Sequence, residues 1–567
     1  MIEILATNIT SPLGRTTEEN YQALRAGNSA LVRYEGWRGV PESFTASILS
    51  DGQMADIALE GYSRFESLAI RSVEESLLHC DIDITSPRTL LILSTTKANV
   101  DALDTGGEGD YLAPGATAKK IAQHFAMSSQ PVVVCNACIS GVTAQTLADR
   151  LILAGEYDVA IVCGADVISP FVLAGFLSFK SLSPEACRPF DIERLGLNLG
   201  EAAATIIFGR SSEECDAESG RWQLLRSSLN NDAYHVSAPS PVGEGTAEAI
   251  RRVMDGVSAE DLGVVCVHGT ATMFNDQMES KAIESTGLSN VPISALKGYY
   301  GHTLGAAGVV ETILTARAAD DGIVLSVRGF EEIGVGGKVN ISNQERECNK
   351  PYFLKIISGF GGCNGALLYG KGCANVQKEV AEAKPTQMHR VKITSESVAV
   401  DGNPIATTTT GAALLKELYK EYIGDYAKFY KMDTMSRLAI VATELLLRGE
   451  SAEERAEEHD VVLFNRSSSI VADMNHLATI RDRENFYPSP SVFLYTLPNI
   501  ALGEVAIRYQ FRGETSLYIL DEKCEPLMNA ITAATIRESY APMLVTGWID
   551  CRSEDEFEAE IEILTKK

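Results

Sequence analysis

Positive charge is in short supply in this chain. Its 567 residues hold 49 Lys and Arg against 76 Asp and Glu, a formal net charge of −27, and the basic residues are scattered. That pattern argues against nucleic acid as a partner. Long apolar runs are missing too. No stretch approaches the ~18 residues of a membrane-spanning helix, so no membrane partner is expected. The opening MIEILATNITSPLG has neither a basic n-region nor a long apolar h-region, so it does not read as a signal peptide. The twelve cysteines lack the spacing of a disulfide framework. Most sit in apolar runs, as Cys163 does in VAIVCGAD and Cys266 in GVVCVHG, the pattern of reduced, buried thiols. The expected compartment is therefore the cytoplasm. Histidine is rare, with eight in the chain, and only two stand in glycine-rich loops.

What is present is an alternation. The runs TLLILSTT, PVVVCNA, VAIVCGAD, AAATIIFG and GVVCVHG read as buried strands, and FESLAIRSVEESLLHC, GVTAQTLADRLILAG and GVVETILTARAAD as amphipathic helices. This is an α/β pattern with strands covered on both faces. The length is enough for two large cores. Residues 372–392, polar and out of pattern, read as a linker between a domain at 1–371 and a second α/β segment at 393–567.

The second segment reads as a partial repeat of the first. SRFESLAIRSVEESLL (63–78) parallels DTMSRLAIVATELLL (433–447), and TLLILSTTKANV (89–100) parallels DVVLFNRSSSIV (460–471). PVVVCNAC, a helix and YDVAIVCGADV parallel SLYILDEKC, a helix and APMLVTGWID, which sets Cys524 on the Cys138 position. Nothing after residue 551 resembles residues 225–370.

Three segments carry chemistry. In VVVCNACISGVTAQTLADRLILAG, Cys138 falls at a turn between strand and helix. There the free N–H groups and the helix dipole favour a thiolate and lower its pKa. VHGTATMFND (267–276) and LKGYYGHTLGAAGVVE (296–311) each place a histidine, His268 and His302, beside glycines after an apolar run. Neutral imidazoles donate hydrogen bonds to carbonyl oxygens and move protons. The C-x-x-C spacing of CNAC has no second ligand pair, so a zinc or redox reading is unsupported and no metal is expected.

Over residues 1–370 the chain resembles the β-ketoacyl synthases of the thiolase-like superfamily, of the elongating Cys-His-His type. The resemblance rests on SPLG (11–14), ACISG (137–141), CGAD (163–166), RPFDIERLGLNLGEAAA (188–204), the two histidine segments and GFGGCNG (359–365). Residues 393–567 resemble the N-terminal half of a ketoacyl synthase, or of the inactive chain-length factors. The resemblance implies a layered α/β/α/β/α fold followed by an extra half-thiolase domain. It implies decarboxylative Claisen condensation of an acyl group on Cys138 with malonyl-carrier protein, in fatty-acid or polyene and polyketide-like synthesis. His268 and His302 would polarise the malonyl carbonyl, and Lys297, paired with Glu311, would orient the site. The N–H groups of Cys138 and Phe360 would form an oxyanion hole. Phe360 would gate the acyl pocket, and Thr270 and Thr272 would hold the pantetheine arm. Asn364 and Asp276 read as structural. No cofactor is required, and the partner is an acyl carrier protein, whose acidity would require a local basic patch.

Two departures bear on shape alone: ATNITSPLG lacks the family's early glycines and RLGLNLGEAA is poorer in glycine. KCEPLMNA lacks Ser-Gly after its cysteine and no histidine segment follows, so Cys524 reads as inert. The second segment occupies the partner place against the first domain, as a pseudo-dimer, or decorates an ordinary homodimer. A thiolase using coenzyme A is the alternative, with Cys363 near the place of a second catalytic cysteine, but His302 and the HGTAT segment favour the synthase. A non-catalytic chain-length subunit is disfavoured by the intact Cys138, His268 and His302.

Overall fold

The computed structural model describes residues 1–105, 109–211, 220–372, 385–448, 450, 458–482 and 486–566. The first sheet is built from β1 (Ile2–Thr10), β2 (Thr89–Ser94), β3 (Val132–Val134), β4 (Val159–Asp166) and β5 (Ala202–Arg210). Their order is β3-β2-β4-β5-β1. β2 runs parallel to β3 and β4, while β5 runs antiparallel to β4 and β1. β2 is buried along its whole length, as a strand covered on both faces requires. The second sheet holds β6 (Gln223–Asn231), β7 (Leu262–Cys266), β8 (Ile293–Ser294), β9 (Tyr352–Gly359) and β10 (Cys363–Gly370), in the order β8-β7-β9-β10-β6. It joins the first sheet where Ile2 and Glu3 of β1 meet Leu224 and Gln223 of β6.

Helix α1 (Arg64–Leu77) lies on the outer face of the first sheet, started by a capping box from Ser63 and Glu66. Between the sheets run α2 (Ser140–Leu153) and α3 (Ala307–Asp320). Residues Ser140–Ile152 and Ala307–Ala316 are all buried, which is why these helices are weakly amphipathic. Their N-termini meet closely. A Cβ on Gly141 would lie 2.9 Å from the Val309 nitrogen, and one on Gly308 would lie 2.8 Å from the Val142 nitrogen. Only glycine permits that approach, and it brings the two helix starts that carry Cys138 and the His302 loop together.

The extra half repeats the first sheet. Its strands are β11 (Thr386–Thr394), β12 (His459–Asn465), β13 (Thr515–Ile519), β14 (Met543–Cys551) and β15 (Phe557–Thr565), in the order β13-β12-β14-β15-β11. α4 (Thr434–Leu447) takes the α1 place, with Asp433 as its N-cap. α5 (Ile500–Tyr509) precedes β13, and α6 (Glu525–Glu538) follows it as α2 follows β3. The expected linker needs correcting at its end. Residues 373–384 lie outside the described residues, and Thr386–Thr394 is strand, because it pairs with β15 just as β1 pairs with β5.

The two copies of the sheet join edge to edge. β13 pairs antiparallel with β3, Tyr518 opposite Val134 and Ile519 opposite Val133, and α6 packs on α2. The junction is fastened by polar groups as well. Arg150 of α2 and Glu514 form a buried ion pair at 2.6 Å, and Lys97 and Asp473 form another at 2.5 Å. No helix among the described residues is long and apolar enough to cross a membrane.

Candidate active site

Cys138 sits in a single 3-10 turn, Ala137–Ile139, between β3 and α2. Ala137 takes a left-handed φ of 47°, and Ser140 holds the elbow: its hydroxyl donates to the Ala137 carbonyl at 2.7 Å and accepts from the Asn136 N–H at 2.8 Å. Asn136 in turn accepts from the Leu517 N–H of β13 at 2.8 Å, so the nucleophile's turn is fixed partly by the extra half. Burial pushes the Cys138 thiol up to about 11, against the pull of Lys297 and of the Phe360 and Cys138 N–H groups. This corrects the expectation that the helix start lowers the pKa: in the free site desolvation outweighs it.

His268 follows β7. Its own N–H and that of Gly269 donate to Glu279, at 2.7 and 2.8 Å, which pins the loop to the helix Met273–Ser285. His302 lies just before α3, with its N–H on the Asn198 carbonyl at 2.7 Å. The two rings meet edge to face, with centroids 4.9 Å apart, and Cys138 joins them: the three ligand-type atoms lie within 4.8 Å of one another. Burial holds both imidazoles well below the ordinary histidine value, and the Lys297 and Lys355 charges add to it, so both are neutral.

Their tautomers follow from their partners. The Leu304 N–H donates to His302 Nδ1 at 3.1 Å, and Lys297 Nζ lies 3.1 Å from His268 Nδ1. Each Nδ1 is therefore an acceptor, and each neutral ring carries its proton on Nε2. Among the described residues His302 Nε2 has no hydrogen-bond partner. The pair thus offers N–H donors rather than lone pairs, which suits a developing oxyanion and not a metal ion.

Lys297 also donates to the His268 carbonyl at 2.5 Å and to Glu311 of α3 at 2.6 Å. The other Glu311 oxygen takes Lys355 Nζ at 2.5 Å. Sequence reasoning missed Lys355, although a lone lysine inside the apolar strand YFLKIISG was a visible signal. It also missed Glu279, which had no signal beyond its place on a helix, and Asp166. The Asp166 carboxylate accepts from Gly305 N at 2.7 Å and from Thr95 Oγ1 at 2.7 Å.

The other expected residues divide. The N–H groups of Cys138 and Phe360 both favour the thiolate form of Cys138. Thr270 and Thr272 share a hydrogen bond at 2.8 Å beside the exposed Met273 and Phe274. Asp276 is spent on the Phe190 and Ala271 N–H groups, and Asn364 on Thr246, Ser358 and Asp232. Cys363 donates to the Phe360 carbonyl at 3.3 Å, and burial raises its pKa strongly. Cys135 is likewise buried, its thiol pushed up to about 12 and bonded to the Thr96 carbonyl at 3.2 Å. Cys524 lies at the N-terminus of α6, far along the chain from any histidine loop, and packs against the shared core.

Beside Cys138 opens a small apolar cavity. Val172, Phe176, Leu304 and Phe360 line it from the first domain, Phe493 and Leu497 from the extra half. Phe360 stacks on Phe176 at 6.3 Å, and Phe493 abuts Phe176 edge-on at 5.6 Å.

The model of the β-ketoacyl synthase N-terminal domain matches residues 1–214, and that of the C-terminal domain matches residues 223–331. The chain belongs to the β-ketoacyl synthase family. It is similar to 3-oxoacyl-[acyl-carrier-protein] synthase 2 of Vibrio cholerae, 26% identical over 411 residues that cover 65% of this chain and 98% of the relative. A β-ketoacyl synthase from Burkholderia phymatum superposes with a TM-score of 0.59 at 26% identity, over 65% of this chain and 99% of that one. The PfaC keto synthase–chain length factor matches 100% of this chain and 78% of its own, with a TM-score of 0.76. At 13% identity that likeness is one of fold. This β-ketoacyl synthase is therefore an acyltransferase of the condensing type.

Proposed function

We propose that the chain condenses a Cys138-bound acyl group with malonyl-carrier protein, and that residues 386–566 stand permanently in the place of a partner subunit. The first step moves the acyl group. The Cys138 sulfur attacks the thioester carbonyl, the oxyanion rests on the Cys138 and Phe360 N–H groups, and the carrier thiol leaves with the proton that Cys138 gives up. In the second step malonyl thioester loses CO2. The Nε2–H groups of His268 and His302 hold the enolate oxygen, and the enolate carbon attacks the acyl carbonyl. Cys138 leaves as thiolate and takes a proton from water.

The observation that carries this reading is the pair of histidines beside the thiol: both imidazoles are neutral, their Nδ1 atoms accept, and both rings bring a nitrogen within 4.8 Å of the Cys138 sulfur. Lys297, held by Glu311, keeps His268 in that state. Thr270 and Thr272 are assigned to the pantetheine arm. Relatives named for acyl carrier protein support such a carrier as partner. The β3–β13 pairing supports an intrachain pseudo-dimer over a decorated homodimer, because it fills the β3 edge of the first sheet from within the same chain. The unit boundaries we assign are 1–372 and 386–566. A cytoplasmic setting fits the free cysteines among the described residues.

Incubation with acyl- and malonyl-carrier protein tests the proposal by mass spectrometry. The expected result is an acyl adduct on the Cys138 peptide, absent in Cys138→Ala, and a 3-oxoacyl product with CO2. An adduct that persists on another cysteine in Cys138→Ala would overturn it.

A further inference from the structure

The loop Gly359–Gly362 holds the second oxyanion donor, yet three of its four residues are glycines, so its own sequence does little to fix it. The extra half reaches it twice. Asn499, buried just ahead of α5, donates from Nδ2 to the Phe360 carbonyl at 2.8 Å. One turn on, Gly503 lies flat against the loop: a Cβ there would stand 2.7 Å from the Gly361 carbonyl oxygen and 2.9 Å from its Cα. From the first domain, Asn231 donates to the Gly361 carbonyl at 2.8 Å and Gly361 donates to the Val236 carbonyl at 2.7 Å. Gly361 itself has a φ of 95°.

We propose that Asn499 is a positioning residue for condensation: across the junction it clamps the Phe360 carbonyl and so aims the Phe360 N–H at the carbonyl that reacts on Cys138. The inference rests on the proposed oxyanion role of Phe360. It adds that the extra half completes the catalytic geometry as well as lining the acyl cavity. Asn499 Oδ1 is buried and bonds nothing among the described residues. A buried acceptor left bare is destabilising, and leucine of similar size would avoid it. The amide donor is thus what asparagine contributes here. Fixing the peptide that follows Phe360 restrains the one that precedes it, because the two planes are separated by the φ and ψ of Phe360 alone.

The test uses the full chain with Asn499→Leu, which removes the donor while keeping the number and branching of the side-chain heavy atoms, and Gly503→Ala, which presses on the loop at the Gly361 carbonyl without removing any hydrogen-bond donor. Single-turnover acylation of Cys138 by an acyl-carrier thioester is measured across substrate concentrations, beside malonyl decarboxylation. Loss of a whole oxyanion donor costs about 10²–10³ in rate, so a misaimed one should slow acylation about tenfold. In both variants we expect that loss in the maximal rate, with half-saturation and malonyl decarboxylation within about twofold of wild type, since decarboxylation depends on His268 and His302. A folded Asn499→Leu that acylates at the wild-type rate overturns the proposal, as does equal loss of both half-reactions. If Asn499→Leu does not fold, Gly503→Ala decides by the same criteria. Failure of the wild type to acylate Cys138 would sink the underlying reading instead, a distinguishable result.

Discussion

Residues 1–210 and 386–566 are two copies of one topology, and only the first sets its helix-start cysteine beside two histidines among the described residues. Their strands follow the same order, and even a local device recurs. Asp166 at the end of β4 accepts from the Thr96 N–H, and Asp550 in β14 accepts from the Arg466 and Ser467 N–H groups, so each copy pins the loop after its central strand in the same way. The difference lies in what each copy faces. Asp166 also accepts from Gly305, in the His302 loop, and Gly141 lets α2 touch α3. Among the described residues the extra copy has no second sheet. Its α6 starts with Pro526 at the position where Pro is tolerated, and Leu527 stands where Gly141 stands in the first copy. A thiol at a helix start is therefore matched in the first copy, and not in the second, by facing histidine loops.

The largest effect expected from that contrast is loss of the loops' function. His268→Ala and His302→Ala should each lower malonyl decarboxylation by at least about 10², within the range for a lost oxyanion donor or general acid–base group. Acyl transfer to Cys138 should suffer much less. Measuring the half-reactions separately checks this, and equal loss of both in a folded variant would contradict the division of labour.

Removal of the extra copy comes next. A chain ending at residue 372 opens the β3 edge and uncovers the α2 surface that α6 now buries, and it leaves Lys97 and Arg150 without their carboxylate partners. Unpaired edges and bare buried charges are costly. The truncated chain should aggregate or pair with a second copy through β3. Light scattering checks the mass, and a soluble, active monomer would mean the second copy is an appendage.

A smaller effect concerns the nucleophile itself. Because burial raises the Cys138 pKa to about 11, the thiol form dominates at neutral pH. Its alkylation by iodoacetamide should climb about tenfold per pH unit from pH 7 to 9.5, the slope expected below a raised pKa. A plateau below pH 8 would show that the helix start governs after all.

The cluster of Cys138, His268 and His302 was legible in the sequence because rare residue types stand there beside glycines in loops. The repeat was legible from ordered blocks, yet its first strand was not. TQMHRVKIT alternates too weakly to read as a strand, and pairing with β15 on one side and Val398–Val400 on the other makes it one. The Cys138 pKa was illegible for a related reason, since burial is a sum over neighbours brought in from β9, α3 and the extra half. Asn499 and Lys355 act across long sequence separations, which no local pattern encodes.

The smallest effect belongs to the residue that aligns with the nucleophile. Cys524 caps α6 with an extended backbone, φ −121° and ψ 92°, and its side chain makes no cap hydrogen bond. It packs with the core shared by both copies. Serine changes the volume little, and the position is only partly buried. Cys524→Ser should therefore leave turnover within about twofold and cost no more than ~1 kcal/mol, the range of substitutions that break no named interaction. Parallel assays of Cys524→Ser and Cys138→Ser make the comparison sharp, because the two positions share topology and differ in what lies opposite. If Cys524→Ser lost activity while remaining folded, the second copy would have to communicate with the site through α6 and α2, and the division into a reactive and a supporting half would need to be redrawn.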